Sequence, residues 1–87
     1  MLVVKKSGNL QDFQLEKIKT SMMRASDDIN QPLNEADSHI LAEKINNKIN
    51  ANYKEKIKWS EIRTIVGEAL ISCGFSNVAK SYEEGAK

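Results

Sequence analysis

The stretch that decides the fold is LVVKKSGNLQDF, residues 2–13, and its pattern is typical of a β-hairpin. Residues 2–4 form an apolar, largely β-branched run, and residues 10–13 mix apolar with polar side chains, with Leu10 and Phe13 on either side of Gln11 and Asp12. Between these runs, Ser7-Gly8-Asn9 supplies residue types that tolerate the positive φ angles of a tight turn. We therefore predict two antiparallel strands at the start of the chain.

The spacing of apolar residues lengthens after Phe13 to about 3.6 residues, which predicts helices. The apolar face of the first helix comprises Leu15, Ile18, Met22, Ala25 and Ile29. This helix is expected to end at Asn30-Gln31-Pro32, because the residue before proline disfavours helical dihedral angles. Asn34 is a suitable N-cap for a second helix. The predicted apolar face of that helix comprises Ala36, Ile40, Leu41, Ile45 and Ile49.

The second half of the chain predicts one short strand and two more helices. Ile57-Lys58-Trp59 has strand character, and Ser60 is a suitable N-cap for the third helix. Gly74 stands where a glycine commonly ends a helix, and Ser76 is a suitable cap for the fourth. The apolar positions of these two helices are Ile62, Ile65, Val66, Ala69, Leu70, Cys73, Val78, Ala79 and Tyr82.

Together these elements predict an α+β fold, in which an N-terminal β-hairpin covers a four-helix bundle. The hairpin becomes a small three-stranded sheet if the strand at residues 57–59 pairs with it. A chain of 87 residues has the length of one small domain, so we assign residues 1–87 to a single domain.

Composition argues against several classes of protein. The chain has 13 Lys and Arg residues against 12 Asp and Glu residues, so its net charge of +1 gives no overall attraction to nucleic acid or membrane. One cysteine, Cys73, and one histidine, His39, cannot supply a structural zinc site or a disulfide. No pairing of nucleophile and base indicates an enzyme. No apolar run approaches the ~20 residues of a membrane span, and we expect a cytoplasmic protein.

Lysines near the hairpin form the one dense candidate for a binding site. Lys5 and Lys6 lie at the turn, and Lys17 lies near the start of the first helix, where free N–H groups favour a polyphosphate. The apolar residues available beside them for a flat base are Val3, Phe13 and Ile18. The alternative is that lysines at a hairpin edge only discourage strand-to-strand aggregation. A second series, either a solvated face or a nucleic-acid contact, comprises Lys44, Lys48, Lys54, Lys56 and Lys58.

Several short motifs occur in the order in which ATP-cone domains carry them. The N-terminal ones are VVKKSG at residues 3–8, QDFQ at 11–14, EKI at 16–18 and SMMRA at 21–25. They resemble the family's V-x-K-R-D-G, E-x-F-D, x-K-I and S-I-x-R-A. Later, IKWSEI at 57–62 resembles I-x-x-x-E-I, and GFSNVAKSY at 74–82 resembles G-x-x-x-V-A-K-x-Y. The resemblance spans residues 2–82, so the chain is identified as a member of the ATP-cone family, and we expect it to be a free-standing protein.

The resemblance implies a domain that binds ATP or dATP, with Mg²⁺, between a small sheet and a four-helix bundle. It implies neither catalytic residues nor metal ligands. The nucleotide-binding positions that it implies are Val3, Lys5, Lys6, Gln11, Phe13, Gln14, Lys17, Ile18 and Arg63. The sequence departs from the family's wording at Lys6-Ser7, which replaces Arg-Asp, at Gln11, where glutamate is common, and at Trp59, where small polar residues occur.

The family's usual neighbours are ribonucleotide reductase catalytic domains or the zinc ribbon of the reductase transcriptional repressor. The resemblance therefore implies an allosteric sensor of the ATP-to-dATP balance, which acts through self-association or on a separate ribonucleotide reductase or regulator protein. The net charge of +1 argues against both a membrane partner and nucleic acid. Two alternatives stay open: a nucleic-acid-binding accessory domain, and a cone-like interaction scaffold that has lost nucleotide binding.

Overall fold

The order of strands and helices brings the two halves of the chain into one sheet. The computed structural model describes residues 1–85. Its elements are β1 (Leu2–Val4), β2 (Leu10–Asp12), α1 (Leu15–Asp28), α2 (Glu35–Asn52), β3 (Lys56–Lys58), α3 (Trp59–Ser72) and α4 (Ser76–Gly85). The predicted α+β class is confirmed, and the third strand joins the hairpin. The assignment of residues 1–87 to one domain includes residues 86 and 87, which lie outside the described residues.

The three strands form one sheet in the order β2-β1-β3. β1 runs antiparallel to β2, where Val3 pairs with Gln11, and parallel to β3, where Val3 pairs with Ile57. A parallel pair needs a long crossover connection, which α1 and α2 provide. In the hairpin turn, the Gly8 N–H donates to the Lys5 carbonyl at 2.9 Å, and Gly8 has a φ of +91°. The predicted turn is therefore confirmed, and it uses the conformational freedom of glycine.

One hydrophobic core joins the four helices to the sheet. β3 contributes the buried Ile57, and the hairpin contributes Val3 and Phe13, which are partly buried against the core. The buried hydrophobic residues are Ile18, Met22, Ala25, Leu33, Leu41, Ala42, Ile45, Ile49, Ile57, Ile62, Ile65, Val66, Leu70, Val78 and Ala79. The predicted apolar faces of α1, α3 and α4 supply most of this core.

The predicted apolar face of α2 is partly wrong. Ala36 and Ile40 are exposed, and Ile40 keeps 51% of its surface accessible. The stripe that α2 actually buries consists of Ser38, Leu41, Ala42, Ile45 and Ile49. Because α2 packs against both α1 and α3, its buried stripe continues through Ser38, and the side that carries Ile40 is left exposed.

α1 and α3 end in the same way, with a residue in the left-handed conformation. Asn30 follows α1 with a φ of +56°, and Gly74 follows α3 with a φ of +86°. After α3, the Gly74 N–H donates to the Ile71 carbonyl at 3.0 Å, and the Phe75 N–H donates to the Leu70 carbonyl at 2.8 Å. These paired bonds are those of a Schellman motif. The predicted helix stop at Gly74 is therefore confirmed.

Two predicted N-caps are wrong, because both helices begin earlier in the chain than the sequence predicts. α3 already begins at Trp59, so Trp59 is not a strand residue and Ser60 is not the cap; Lys58 occupies the cap position. β3 runs directly into α3, which leaves no loop residue to cap the helix. Ser76 is likewise the first residue of α4 rather than the residue before it.

Asn34 is confirmed as the N-cap of α2, because its side-chain oxygen accepts the Asp37 N–H at 2.7 Å. Asn34→Ala should lower the free energy of unfolding by about 1 kcal/mol through loss of this cap. Asn50, exposed in the interior of α2, is the matched control, and Asn50→Ala should be neutral or slightly stabilising because alanine has the higher helix propensity. Urea denaturation measures both, and equal stabilities would contradict the capping role.

Gly74→Ala and Gly67→Ala should shift the free energy of unfolding in opposite directions. A Cβ at Gly74 meets no atom within 4 Å, so the positive φ alone should destabilise the variant by about 1 kcal/mol. A Cβ at Gly67, inside α3, lies 3.4 Å from Oε1 of the flexible Glu83 side chain, so Gly67→Ala should stabilise the helix by about 0.5–1 kcal/mol. Thermal denaturation compares the stabilities of the two variants. A Gly74→Ala variant more stable than Gly67→Ala would contradict this account of α3.

Candidate functional site

The inner face of the sheet carries two of the predicted binding residues. Val3, Gln11 and Ile57 pair across the three strands, so their side chains share one face of the sheet. Ile57 is 2% exposed and Val3 packs against the core, so this face points towards the helices. Gln11 is half-buried on the same face. The structure therefore brings Val3 and Gln11 together at the boundary between sheet and helices.

The start of α1 lies at one end of this sheet. β2 ends at Asp12, which pairs with Leu2, and the next N–H, of Phe13, donates to the Met1 carbonyl at 2.9 Å. Phe13 packs partly buried against the core. Gln14 then occupies the N-cap position of α1 without a side-chain capping bond. Its amide group is exposed at the junction between sheet and helix.

Lys17 and Ile18 follow in the first turn of α1, in different environments. Ile18 is only 8% exposed and belongs to the core, so it can support an apolar slot from beneath but offers little open surface. Lys17 is exposed, and it lies in a shallow depression of about 310 Å³ on α1. The lining residues of this depression are Glu16, Lys17, Thr20, Ser21 and Arg24.

Lys5 and Lys6 lie at the other end of the sheet. Val4 pairs with Lys58, the last residue of β3, so the two lysines follow β1 beside the start of α3. The Lys6 ammonium lies 5.7 Å from the centroid of the Trp59 ring, within the range of a cation–π contact. Trp59 is not one of the binding positions that the sequence predicts. The feature of the sequence that points to it is an aromatic residue directly after a strand that carries two lysines.

The backbone positions of the predicted cations therefore lie at opposite ends of β1. β1 has three residues, and at about 3.3 Å per residue Lys5 lies roughly 10 Å from the end of the sheet where α1 begins. A ligand long enough to carry both a flat base and a polyphosphate can contact Lys5 and Lys6 at one end and Lys17 at the other.

Arg63 lies on α3, one helical turn after Trp59 and on the same side of the helix. Its Nη2 group donates to the backbone carbonyl of Glu83, in the last turn of α4, at 2.7 Å. Burial raises the pKa of the Tyr82 hydroxyl, and the positive charge of Arg63 opposes part of that rise. The structure thus places this predicted phosphate contact at the junction of α3 and α4.

The remaining histidine, cysteine and acidic side chains form no second candidate site in the part of the chain that the structure describes. Residues 1–85 contain no cluster of His, Cys, Asp and Glu side chains able to hold a metal ion. Cys73 is half-buried against the core, and His39 is exposed on α2. None of the helices in residues 1–85 has both the length and the apolar character to cross a bilayer.

An open groove of about 610 Å³ lies between α2 and α3, and it shares no residue with the predicted binding positions. Its lining residues are Lys48, Asn52, Tyr53, Ser60, Glu61, Thr64, Ile65 and Glu68. An exposed salt bridge joins Lys48 to Glu68 across it at 3.2 Å. Such exposed pairs contribute little stability, and the mixed charges of the groove favour no one class of ligand.

Comparison with known proteins identifies the family. The family model described as "ATP cone domain" matches residues 1–84. The chain is also 28% identical over 90 residues to the transcriptional repressor NrdR of Streptococcus uberis. That alignment covers 97% of this chain and 54% of the repressor, so the chain spans about half the length of this relative. ATP cone domains are nucleotide-binding regulatory domains, and the observed small sheet over four helices agrees with the resemblance in the motifs. The chain therefore belongs to the ATP cone domain family.

Proposed function

We propose that this chain binds ATP or dATP, with Mg²⁺, along the inner side of the hairpin and reports its occupancy as an allosteric sensor. The observation that carries the proposal is the family match over residues 1–84, combined with an apolar inner sheet face that has exposed lysines at both ends. The family membership supports nucleotide as the ligand class. The arrangement of side chains supports the location.

The base is proposed to lie against Val3 and Phe13, whose partly buried side chains pack against the core to which Ile18 belongs. A flat base in such a slot loses contact with water and gains contact with apolar atoms. Gln11 and Gln14 each carry an amide that can both donate and accept hydrogen bonds, as the edge of adenine requires. Gln11 also distinguishes this chain from the glutamate common in the family, because a neutral amide presents a donor that a carboxylate lacks.

The sugar and phosphates are proposed to contact Lys5, Lys6 and Lys17. Hydrogen bonds from ammonium groups to phosphate oxygens are charge-assisted and stronger than neutral ones. Mg²⁺ would be held mainly by the phosphates and water, as is usual for this ion, since the described residues offer no metal cluster. A site with these contacts should bind in the micromolar range, on the order of 7–9 kcal/mol.

The sensor function requires that nucleotide bind one state of the protein better than another, because equal affinity shifts no equilibrium. The two states are proposed to differ in association, either with a second copy of this chain or with a separate protein linked to ribonucleotide reduction. The name of the Streptococcus relative, a transcriptional repressor, is compatible with the second route, in which a regulator reads the nucleotide pool. The nucleotide-binding proposal depends on neither choice.

Lys17→Ala should weaken ATP binding by about 1.5–3 kcal/mol, because it removes one charge-assisted contact to the nucleotide. Lys44→Ala is the matched control: it also removes an exposed lysine from a helix surface, but on α2, away from the hairpin. Isothermal titration with ATP, dATP and GTP in the presence of Mg²⁺ measures all three proteins. The wild type and Lys44→Ala should bind alike, and ATP or dATP should bind more tightly than GTP.

Two results would refute this proposal at different levels. Absence of binding heat for the wild type up to millimolar nucleotide would leave a cone-like interaction scaffold as the better description. Binding that is unchanged in Lys17→Ala would retain the ligand but place its site away from the start of α1.

A further inference from the structure

One face of α3 connects the hairpin end of the proposed site to the last turn of α4. Trp59, Arg63 and Gly67 follow one another at intervals of four residues, so they lie in one row along the helix. The first of them contacts Lys6 through its ring, and the last lies where an added Cβ would be 3.4 Å from Oε1 of Glu83. Arg63 occupies the middle of the row, between the lysine at the hairpin and the end of α4.

The hydrogen bond of Arg63 to α4 uses only part of its donor capacity. The guanidinium carries five N–H donors in a planar fork. Among the described residues, its recorded partner is the Glu83 carbonyl, which accepts from Nη2 at 2.7 Å. A backbone carbonyl is neutral, whereas a phosphate oxygen is anionic and forms the stronger bond to guanidinium. One arginine can therefore hold a phosphate with one edge of the fork while it keeps the carbonyl of α4 with the other.

The two ends of α4 are held by different contacts. Its first half carries the buried Val78 and Ala79, and the Ser81 hydroxyl donates to the Ala25 carbonyl of α1 at 2.9 Å. Beyond Ser81, Glu83 and Glu84 are exposed, so this part of α4 is held by fewer buried contacts than its first half. The bond from Arg63 to the Glu83 carbonyl fastens this exposed part of α4 to α3.

We propose that Arg63 couples nucleotide occupancy to the order of the last turn of α4, by bridging a phosphate of the nucleotide and the Glu83 carbonyl. This inference rests on the proposed function and adds the path by which nucleotide binding affects α4. Nucleotide fixes the Arg63 side chain, the fixed guanidinium binds the Glu83 carbonyl more persistently, and residues 82–84 of α4 open less often. By linkage, an ordered α4 end favours nucleotide binding to the same extent. A partner that contacts the end of α4 therefore binds the nucleotide-occupied and nucleotide-free states with different affinities.

Amide hydrogen exchange in residues 81–84, measured with and without saturating ATP and Mg²⁺, tests the coupling directly. In the wild type, ATP should slow exchange there by about fivefold or more, the lower end of typical allosteric coupling. In Arg63→Gln, saturated with ATP at a concentration set by its own titration, this slowing should disappear. Arg63→Lys, which keeps a cation but loses the fork, should retain only part of it and provides a second variant if the glutamine variant is poorly folded.

Ser81→Ala is the matched control, because it removes the other recorded side-chain hydrogen bond of α4 without touching the proposed site. It should raise basal exchange in α4 while leaving the ATP-dependent slowing intact. Calorimetry on the same samples separates the two proposals. Failure of the wild type to bind ATP overturns the nucleotide site and the coupling together. Binding without slower exchange at residues 81–84, or slowing that persists in saturated Arg63→Gln, overturns the coupling alone.

Discussion

The parallel pairing of β1 with β3 is the contact on which the rest of the structure depends. It joins the N-terminal hairpin to a strand from the second half of the chain, through the Val3–Ile57 pair. Ile57 is almost fully buried, so this pairing also anchors the sheet to the helical core. Without it, the hairpin would be a two-stranded element of marginal stability. With it, Lys5 and Lys6 are held beside the first turn of α3, and the inner sheet face is fixed towards the helices.

Sequence reasoning succeeded where a local rule decides the structure. Gly74 and Asn34 were identified because a left-handed residue after a helix and an oxygen-bearing cap before one satisfy backbone groups within a few residues. It failed where packing chooses between local options. Ile40 and Ser38 are both compatible with a helix, and only contact of α2 with two neighbours selects Ser38 for burial. The sequence predicts a strand that includes Trp59, yet β3 ends at Lys58 and Trp59 is the first residue of α3.

The sequence proposes members of the candidate site, but it does not give their arrangement. The motifs propose the hairpin residues as binding positions, and the antiparallel register of β1 and β2 places Val3 and Gln11 on one face of the sheet. The separation of Lys5 and Lys6 from the start of α1 follows from strand direction, which the sequence alone did not settle. The hydrogen bond between Arg63 and Glu83 joins residues on two different helices, so no local sequence pattern predicts it. The proposed site therefore begins from backbone positions at two ends of the sheet, an arrangement that an elongated ligand could span.

Backbone amide chemical-shift mapping by NMR, during titration of the ¹⁵N-labelled chain with ATP and Mg²⁺, tests the central claim most directly. The account predicts that the largest shifts fall in three segments that meet only in the folded sheet: residues 3–6, residues 11–18 and residues 59–63. A site at the hairpin must perturb all three, because the β1–β2 pairing joins residues 3–6 to residues 11–18, and the β1–β3 pairing holds residues 59–63 beside Lys5 and Lys6. Shifts confined to the groove between Lys48 and Glu68, or no shifts at all, would contradict it.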